Sequence, residues 1–299
     1  TLMGIKQVYP GRYEPNSLVR LQRTEQVTFS HCVPTILQMI LDCDAAAGAD
    51  FSGWKMLLGG SALTHGAAAQ ATQRGISIHC GYGMSETCPI LCTTYLREED
   101  FARAPHEQVT ARIKTGVPGA MVDLKIIDAN GKALPHDGIA QGEIVVRAPW
   151  LTQGYLHEPE QGEQLWEDGW MHTGDIASVD ALGVVEIKDR IKDVIKTGGE
   201  WISSLELETL ISEHPAVASV AVVGIPDPQW GERPVALVIC VASAQVDANM
   251  LQEHLLQHVH SGRINKWAIP KEIRFVADIP KTSVGKINKK LIRETELSL

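Results

Sequence analysis

The sequence predicts an α/β protein in two parts. Between Val27 and Cys80, short apolar strands alternate with apolar or alanine-rich helices, the pattern of a parallel sheet. From about Gly116 the texture changes to short strands joined by turns, and a second α/β pattern begins after Lys192. At 299 residues the chain has room for two domains, or for one large domain with an appendage.

The elements follow in order. Val27–Phe29 reads as a short strand, and Pro34, suited to a first helical turn, opens an apolar helix through Leu41. Trp54–Leu58 is a buried strand that ends at Gly59-Gly60. Thr64–Arg74 is an alanine-rich helix closed by Gly75, and Ile76–Cys80 is the next strand. Ligands of such sheets bind at the carboxyl ends of the strands, where Gly59-Gly60-Ser61 and Gly81-Tyr82-Gly83 fall. Val122–Asp128 is a strand leading to the Asn130-Gly131 turn, and Glu143–Arg147 is its successor. Thr173-Gly174-Asp175 reads as a short acidic turn, and Val184–Lys188 as a strand. Alternating charges from Lys188 to Lys196 precede Gly198-Gly199, which places a domain joint near Arg190–Asp193. Beyond it come a helix from Ser204 to His214, strands Val217–Val223 and Val235–Val241, a helix near Asp247–His260, a strand Ile273–Val276 and a basic tail.

Composition excludes several classes of function. A net charge of −9 repels polyanions, which argues against general nucleic-acid or anionic-membrane binding. No apolar run has the length of a membrane span. The six cysteines (Cys32, Cys43, Cys80, Cys88, Cys92, Cys240) form no disulfide framework and read as free thiols in a reducing cytoplasm. Thr1 follows no secretory pattern, and the opening run resembles the middle of a fold under way, so a truncated chain is expected.

Four blocks stand in order: Tyr82-Gly-Met-Ser-Glu-Thr87, Thr173-Gly-Asp175, Asp189-Arg-Ile-Lys-Asp193 with its glycine loop, and Pro280-Lys-Thr-Ser-Val-Gly-Lys286. Together they resemble the C-terminal portion of an adenylate-forming acyl-CoA synthetase, over essentially the whole chain. The resemblance implies the remainder of a large parallel-sheet N-terminal domain (1–189, with α/β to 110 and a small β subdomain over 111–189). A hinge at 190–193 and a compact, mobile α+β C-terminal domain (194–299) follow. It also implies ATP or AMP, Mg²⁺ and coenzyme A as ligands, with a small-molecule carboxylate as substrate, and leaves a homodimer open.

Each residue is assigned a role by that resemblance, against a plainer alternative. Lys286 would bridge the carboxylate and the α-phosphate where two anions meet; otherwise it is one of four lysines on a solvated face. Asp175 would accept both ribose hydroxyls, or is an Asp in a turn. Arg190 would hold ribose and phosphate, or is a surface arginine. Ser85 stands where the family usually has Thr and keeps the hydroxyl for a phosphate, and Glu86 would hold Mg²⁺. Tyr82 would stack on adenine, with Gly83 beside it, while Gly59, Gly60 and Ser61 allow close backbone approach. Lys192 would be the pivot of the hinge, and Gly198, Gly199 and Trp201 would line the pantetheine tunnel, although Trp201 suits interdomain packing equally. His31, Gly81 and Met84 are assigned to the acyl pocket.

His31-Cys-Val-Pro34 and Gly11-Arg-Tyr-Glu-Pro15 are similar to medium- and long-chain fatty acyl-CoA synthetases, with an aryl or thioether carboxylate as the alternative. The family's glycine- and hydroxyl-rich phosphate loop has no counterpart here and is expected before Thr1, so ATP turnover by this chain alone is expected to be crippled. The other reading is a module that binds nucleotide or acyl-adenylate without catalysis. His254 and His258 share a helical face, with His260 near, but lack the His-Glu-x-x-His pattern and read as surface histidines. Cys88 and Cys92 have the wrong spacing for a redox pair and read as acyl-pocket or core residues.

Overall fold

A computed structural model describes residues 4–242, 244–282 and 286–296. Ser283, Val284 and Gly285 of the Pro280–Lys286 block lie outside the described residues.

The first sheet and its helices run α1 (Pro15–Thr24), β1 (Phe29–Cys32), α2 (Pro34–Asp42), β2 (Lys55–Leu58), α3 (His65–Gln73), β3 (Ser77–Tyr82), β4 (Cys92–Thr93), α4 (Pro105–Ile113) and β5 (Val117–Pro118). The strand order is β1-β2-β3-β4-β5. The first three strands are parallel, as the alternation of strands and helices requires, and β4 and β5 return antiparallel. Phe51, Leu37, Met56, Leu58, Ile76 and Ile78 are buried to 2% exposure or less and form the core. The first strand begins at Phe29 rather than Val27, because its pairing with β2 starts at Phe29 and Lys55.

Helices α1 and α4 escape the sequence reading: each has a single buried residue, Val19 and Val109, with Leu18 and Ile113 only partly buried against the core. Their starts are nevertheless well made. Glu14 caps α1 by accepting from the amides of Asn16 and Ser17, and a proline occupies the first turn of each helix.

The second sheet comprises β6 (Asp123–Ile127), β7 (Gly142–Arg147), β8 (Trp166–Glu167), β9 (Trp170–Val179) and β10 (Val185–Arg190), with α5 (Pro159–Leu165) before β8. Its order is β10-β9-β7-β6, and β8 pairs with β9. Thr173-Gly174-Asp175 is not a turn. It lies inside the ten-residue β9, where the register slips. From His172 to Ile176 the strand takes four steps while its partner takes two, from Val145 to Glu143, so two extra residues bulge out. Gly174 supplies the left-handed backbone at the bulge, with φ +68°.

The third sheet contains β11 (Ile195–Thr197), β12 (Glu200–Ile202), β13 (Val217–Asp227), β14 (Gly231–Cys240) and β15 (Glu272–Phe275), with α6 (Ser204–Ser212), α7 (Ala248–His260) and α8 (Lys289–Glu296). The order is β12-β11-β14-β13, with β15 parallel to β14. One face of this sheet (Val220, Val222, Ala236, Val238) packs with Leu207, Leu210, Leu251 and Leu255 of α6 and α7. The alternate residues Ala221, Val223, Val235 and Leu237 pack with Ile279 and with Ile292 of α8. The basic tail is therefore helical over Lys289–Glu296, anchored by the fully buried Ile292.

By contact the chain forms two compact units. One is Thr1–Leu124 with Arg147–Gly169 and Asp180–Glu186; the other is Lys125–Val146 with Trp170–Val179 and Ile187–Leu299. Residues 190–193 fall inside the second. Among the described residues no helix is long and apolar enough to cross a membrane. The cysteines are free, as their spacing implies. Burial pushes the thiols of Cys32, Cys80 and Cys92 up to about 12. Cys92 belongs to the core and Cys88 is exposed, so the two do not share an environment.

Candidate functional site

In the first unit, the glycine segments gather at the carboxyl ends of the parallel strands. Gly59 follows β2 and donates its amide to Cys32 at the end of β1, at 3.2 Å. A Cβ on Gly59 would come within 3.3 Å of Gly81 O and 3.7 Å of His31 Nε2, so these three residues meet at one edge of the sheet. Gly60 has φ +86°, and Ser61 beside it is exposed.

Past β3 the chain turns sharply through Gly83-Met84-Ser85-Glu86. A Cβ on Gly83 would lie 1.7 Å from Pro89 O, so no other residue fits without moving backbone. The turn is pinned by Thr87, which is fully buried. Its hydroxyl receives the amide of Met84 at 3.0 Å and stands 3.0 Å from Met84 O and 2.9 Å from Pro89 O, as potential acceptors for its proton. This leaves the Ser85 hydroxyl exposed and Glu86 half buried.

The Tyr155 hydroxyl donates to Glu86 Oε1 at 2.8 Å, and the amide of Thr152 donates to Glu86 O at 2.9 Å. The adjacent carboxylate raises the Tyr155 pKa above its ordinary value, so the phenol stays a donor. Sequence reasoning missed both Thr87, taken only as part of a block, and Tyr155. The only signal for Tyr155 was a tyrosine after Gly154 in a turn-rich segment, distant in sequence from its partner. The chemistry of Glu86 fits Mg²⁺: one hard carboxylate, with Oε2 hydrogen-bonded to no described residue, is the kind of single protein ligand this ion takes beside phosphate oxygens.

In the second unit, the β9 bulge holds Asp175, 5% exposed, with its amide on Thr173 Oγ1 at 3.1 Å. Thr173 in turn donates to Ile144 O at 2.8 Å. Glu143 uses one oxygen for the Gly174 amide at 3.0 Å and the other for His172 Nδ1 at 2.9 Å. Arg190 ends β10 with Nε 3.3 Å from Asp175 Oδ1, so the second and third sequence blocks converge. The Ile191 amide bonds Gly174 O at 2.9 Å, and a tight turn follows in which Asp193 and Val194 donate to Arg190 O. Lys192 is an exposed residue of that turn, its carbonyl accepting from Arg293 at 3.1 Å.

Beneath the turn is a buried polar network. Asp189, 1% exposed, accepts from the amide and hydroxyl of Ser204 at 2.5 and 2.6 Å. Lys289 Nζ stands 2.6 Å from Ser204 Oγ and 2.7 Å from Glu208 Oε1, which also receives the Val222 amide at 2.8 Å. Burial pushes the Glu208 carboxyl above its ordinary value, with the Lys289 ammonium opposing. Arg293 pairs with Asp193. Helix α8, which begins three residues after Lys286, is thereby fixed to the segment around Lys192. Lys286 itself is half buried, its amide on Thr282 Oγ1 at 3.2 Å.

Gly198 (φ +58°) donates to Trp230 O at 2.8 Å, and its Cβ would touch the Trp230 ring at 3.2 Å. Gly199 (φ +87°) faces open space. Trp201 is 52% exposed and borders a shallow recess of about 120 Å³ with Ser203, Glu206, Arg263 and Asn265. In the first unit, an open groove of about 340 Å³ runs along Thr35, Gln38, Met39 and Asp42 of α2; its lining includes none of His31, Gly81 and Met84.

Known proteins match nearly the whole chain. A model of AMP-binding enzymes matches residues 1–156, and a model of the AMP-binding enzyme C-terminal domain matches residues 206–286. A long-chain-fatty-acid–CoA ligase of Thermus thermophilus is 40% identical over 297 residues, covering 98% of this chain and 54% of its own length. A 3-methylmercaptopropionyl-CoA ligase of Ruegeria lacuscaerulensis is 37% identical over 297 residues, with the same coverage of 98% and 54%. The solved structure of the amide bond synthetase McbA from Marinactinospora thermotolerans matches with a TM-score of 0.82 at 28% identity, over 95% of this chain and 55% of its own. The chain spans about half the length of the curated relatives it matches.

Proposed function

This chain belongs to the AMP-binding enzyme family, and from that premise we propose that the protein joins a carboxylate to ATP and passes the acyl group to coenzyme A. In the first step a carboxylate oxygen attacks the α-phosphorus and pyrophosphate leaves. In the second the coenzyme A sulfur attacks the acyl carbon, AMP leaves with the electron pair of the C–O bond, and the thiol proton goes to solvent.

The observation that carries this reading is the pair formed by Asp175 and Arg190 at the β9 bulge. A nearly buried carboxylate offers acceptor oxygens to the ribose hydroxyls, while the half-exposed guanidinium beside it suits a phosphate. Gly59, Gly60 and Ser61 give the adenine a close backbone approach, and Tyr82 gives it a ring face beside Gly83. Ser85 donates its hydroxyl to a phosphate. Glu86, oriented by Tyr155, would hold Mg²⁺, which supplies charge neutralisation of the phosphates. Lys286 neutralises the charge that develops between carboxylate and α-phosphate.

Lys192 is the pivot about which residues 194–299 turn between the two steps, relative to residues 1–189. Its place in a short turn at the end of β10 supports that role. Gly198 and Gly199, with Trp201 beside them, receive the pantetheine arm. His31, Gly81 and Met84 border the acyl group, which we take to be a medium- or long-chain fatty acid on the strength of the Thermus thermophilus relative. The Ruegeria relative favours a thioether acid as the second reading. A reducing cytoplasm suits the free thiols.

The test is pyrophosphate release by the complete gene product with ATP, Mg²⁺ and a panel of octanoate, palmitate, 3-methylmercaptopropionate and benzoate. A fatty acid should be turned over with the highest kcat/KM. Preference for the thioether acid or benzoate replaces the substrate assignment, and AMP binding without pyrophosphate release for any acid points to a non-catalytic module.

A further inference from the structure

We propose that Glu213, His254 and His258 form a binding site for a borderline divalent transition metal of the zinc class. The site lies on the α6–α7 face of the second unit and is independent of the nucleotide-binding residues.

The geometry comes from two helices. His254 and His258 are one turn apart on α7, their rings 5.2 Å between centroids, so both imidazoles project from the same face. Glu213, the C-cap residue of α6, lies alongside, with His258 Nε2 3.6 Å from Glu213 Oε2. One candidate ligand atom from each of the three lies within 4.8 Å of the others. Tetrahedral zinc, with bonds of about 2.0–2.2 Å, holds its ligand atoms roughly 3.3 Å apart, so side-chain rotations of the order of 1 Å close the site.

The surroundings already suit a metal. His254 Nε2 lies 2.9 Å from the backbone oxygen of Leu210. A carbonyl only accepts, so Nε2 carries the proton and Nδ1 presents its lone pair. This is the outer hydrogen bond that orients ligating histidines. Glu213 divides its oxygens: Oε1 faces Arg263 Nη1 at 3.3 Å, and Oε2 faces His258. The carboxylate can bind a cation through Oε2 while Arg263 steadies the other oxygen. The side chains of His258 and Glu213 are 16% and 34% exposed, so an ion can reach both. His214 packs edge-on against His254 at 5.4 Å, but its Nδ1 already accepts the Ala216 amide. The fourth position is therefore left to water, and the site would exchange metal rather than trap it. The sequence alone reads His254, His258 and His260 as surface histidines; the fold brings Glu213 beside the first two.

The experiment uses the 299-residue chain with Zn²⁺ alone by titration calorimetry and with Co²⁺ alone by absorption spectroscopy. One Zn²⁺ should bind, and the Co²⁺ spectrum should show nitrogen and oxygen ligation without sulfur charge-transfer bands. His254→Ala and His258→Ala should each weaken Zn²⁺ binding at least about 10-fold, the scale on which even outer-shell changes act. Zn²⁺ should raise Tm of the parent chain and not of His258→Gln, which keeps a polar side chain at this partly exposed position. No Zn²⁺ binding, binding unaltered in the histidine variants, or a sulfur-ligated Co²⁺ spectrum from the free cysteines would each overturn the proposal.

Discussion

Arg190 turns its guanidinium to Asp175, Nε lying 3.3 Å from Oδ1, with the arginine side chain half exposed and the carboxylate 7% exposed. The arginine can leave for a ligand at little cost, whereas the carboxylate cannot move. Replacing Asp175 with Ala should therefore weaken AMP binding by about 10- to 100-fold, the range for losing hydrogen bonds to a charged group. Arg190→Ala should cost less, about 5-fold, because the contact of a half-exposed guanidinium with a phosphate is screened by water and contributes roughly 1 kcal/mol. Calorimetric titration with AMP checks both. Equal affinity in Asp175→Ala and the parent removes the ribose assignment.

The Lys289–Glu208 pair makes a prediction about pH. Lys289→Met leaves Glu208 buried near Asp189 with no cation, a change that costs about 3 kcal/mol or more when the carboxylate is ionised. A carboxyl whose folded pKa lies above its unfolded value stabilises fully below the ordinary 4.5 and loses that contribution as pH rises through the raised value. The stability deficit of Lys289→Met should thus be small near pH 4 and grow towards pH 8. Urea denaturation across that range measures it. A pH-independent deficit would show that the carboxylate is not the group left stranded.

Much of the fold was legible because apolar side chains announced it. The runs at Met56–Leu58, Val220–Val223 and Val235–Val238 are buried strands, and Ser203 caps α6 where the sequence places the helix start. Reading failed at α1, α4 and α8, short polar helices that each bury a single anchor, and at Thr173–Asp175, which has turn composition inside a strand. Of the candidate site, the ordered blocks fixed which residues to examine. Tyr155 against Glu86, and Glu213 against His258, are long-range meetings that no spacing encodes.

Two glycines separate steric need from backbone need. Gly83→Ala forces a Cβ to 1.7 Å from Pro89 O and must displace the turn carrying Ser85 and Glu86. Gly199→Ala meets nothing within 4 Å and bears only the left-handed backbone, about 1–2 kcal/mol. Thermal unfolding with pyrophosphate assays should show the first variant impaired in both stability and adenylation. The second should be mildly destabilised and able to adenylate. Full adenylation activity in Gly83→Ala contradicts the placement of Ser85 and Glu86.

Lys286 and Lys192 should divide the two half-reactions of the complete gene product. Lys286→Ala should slow acyl-adenylate formation about 100-fold or more, the scale of removing one electrostatic stabiliser, while pre-formed adenylate still reacts with coenzyme A. Lys192→Pro fixes φ at the turn and should spare adenylation while blocking thioester formation. Single-turnover assays of each half-reaction decide, and equal loss of both steps in either variant refutes its role.

The bulge in β9 has a consequence in the arithmetic of insertions. Two surplus residues is an even number, so the alternation of side chains resumes in phase, and Ile176 to Val179 stay buried beyond the interruption. A strand can thus carry an excursion that sets Asp175 apart without turning its remainder inside out. Deleting Gly174 alone would leave one surplus residue, which an ordinary bulge accommodates, but would remove the left-handed residue that shapes the excursion. Deleting both surplus residues would erase the excursion and leave Ile176 paired with Glu143.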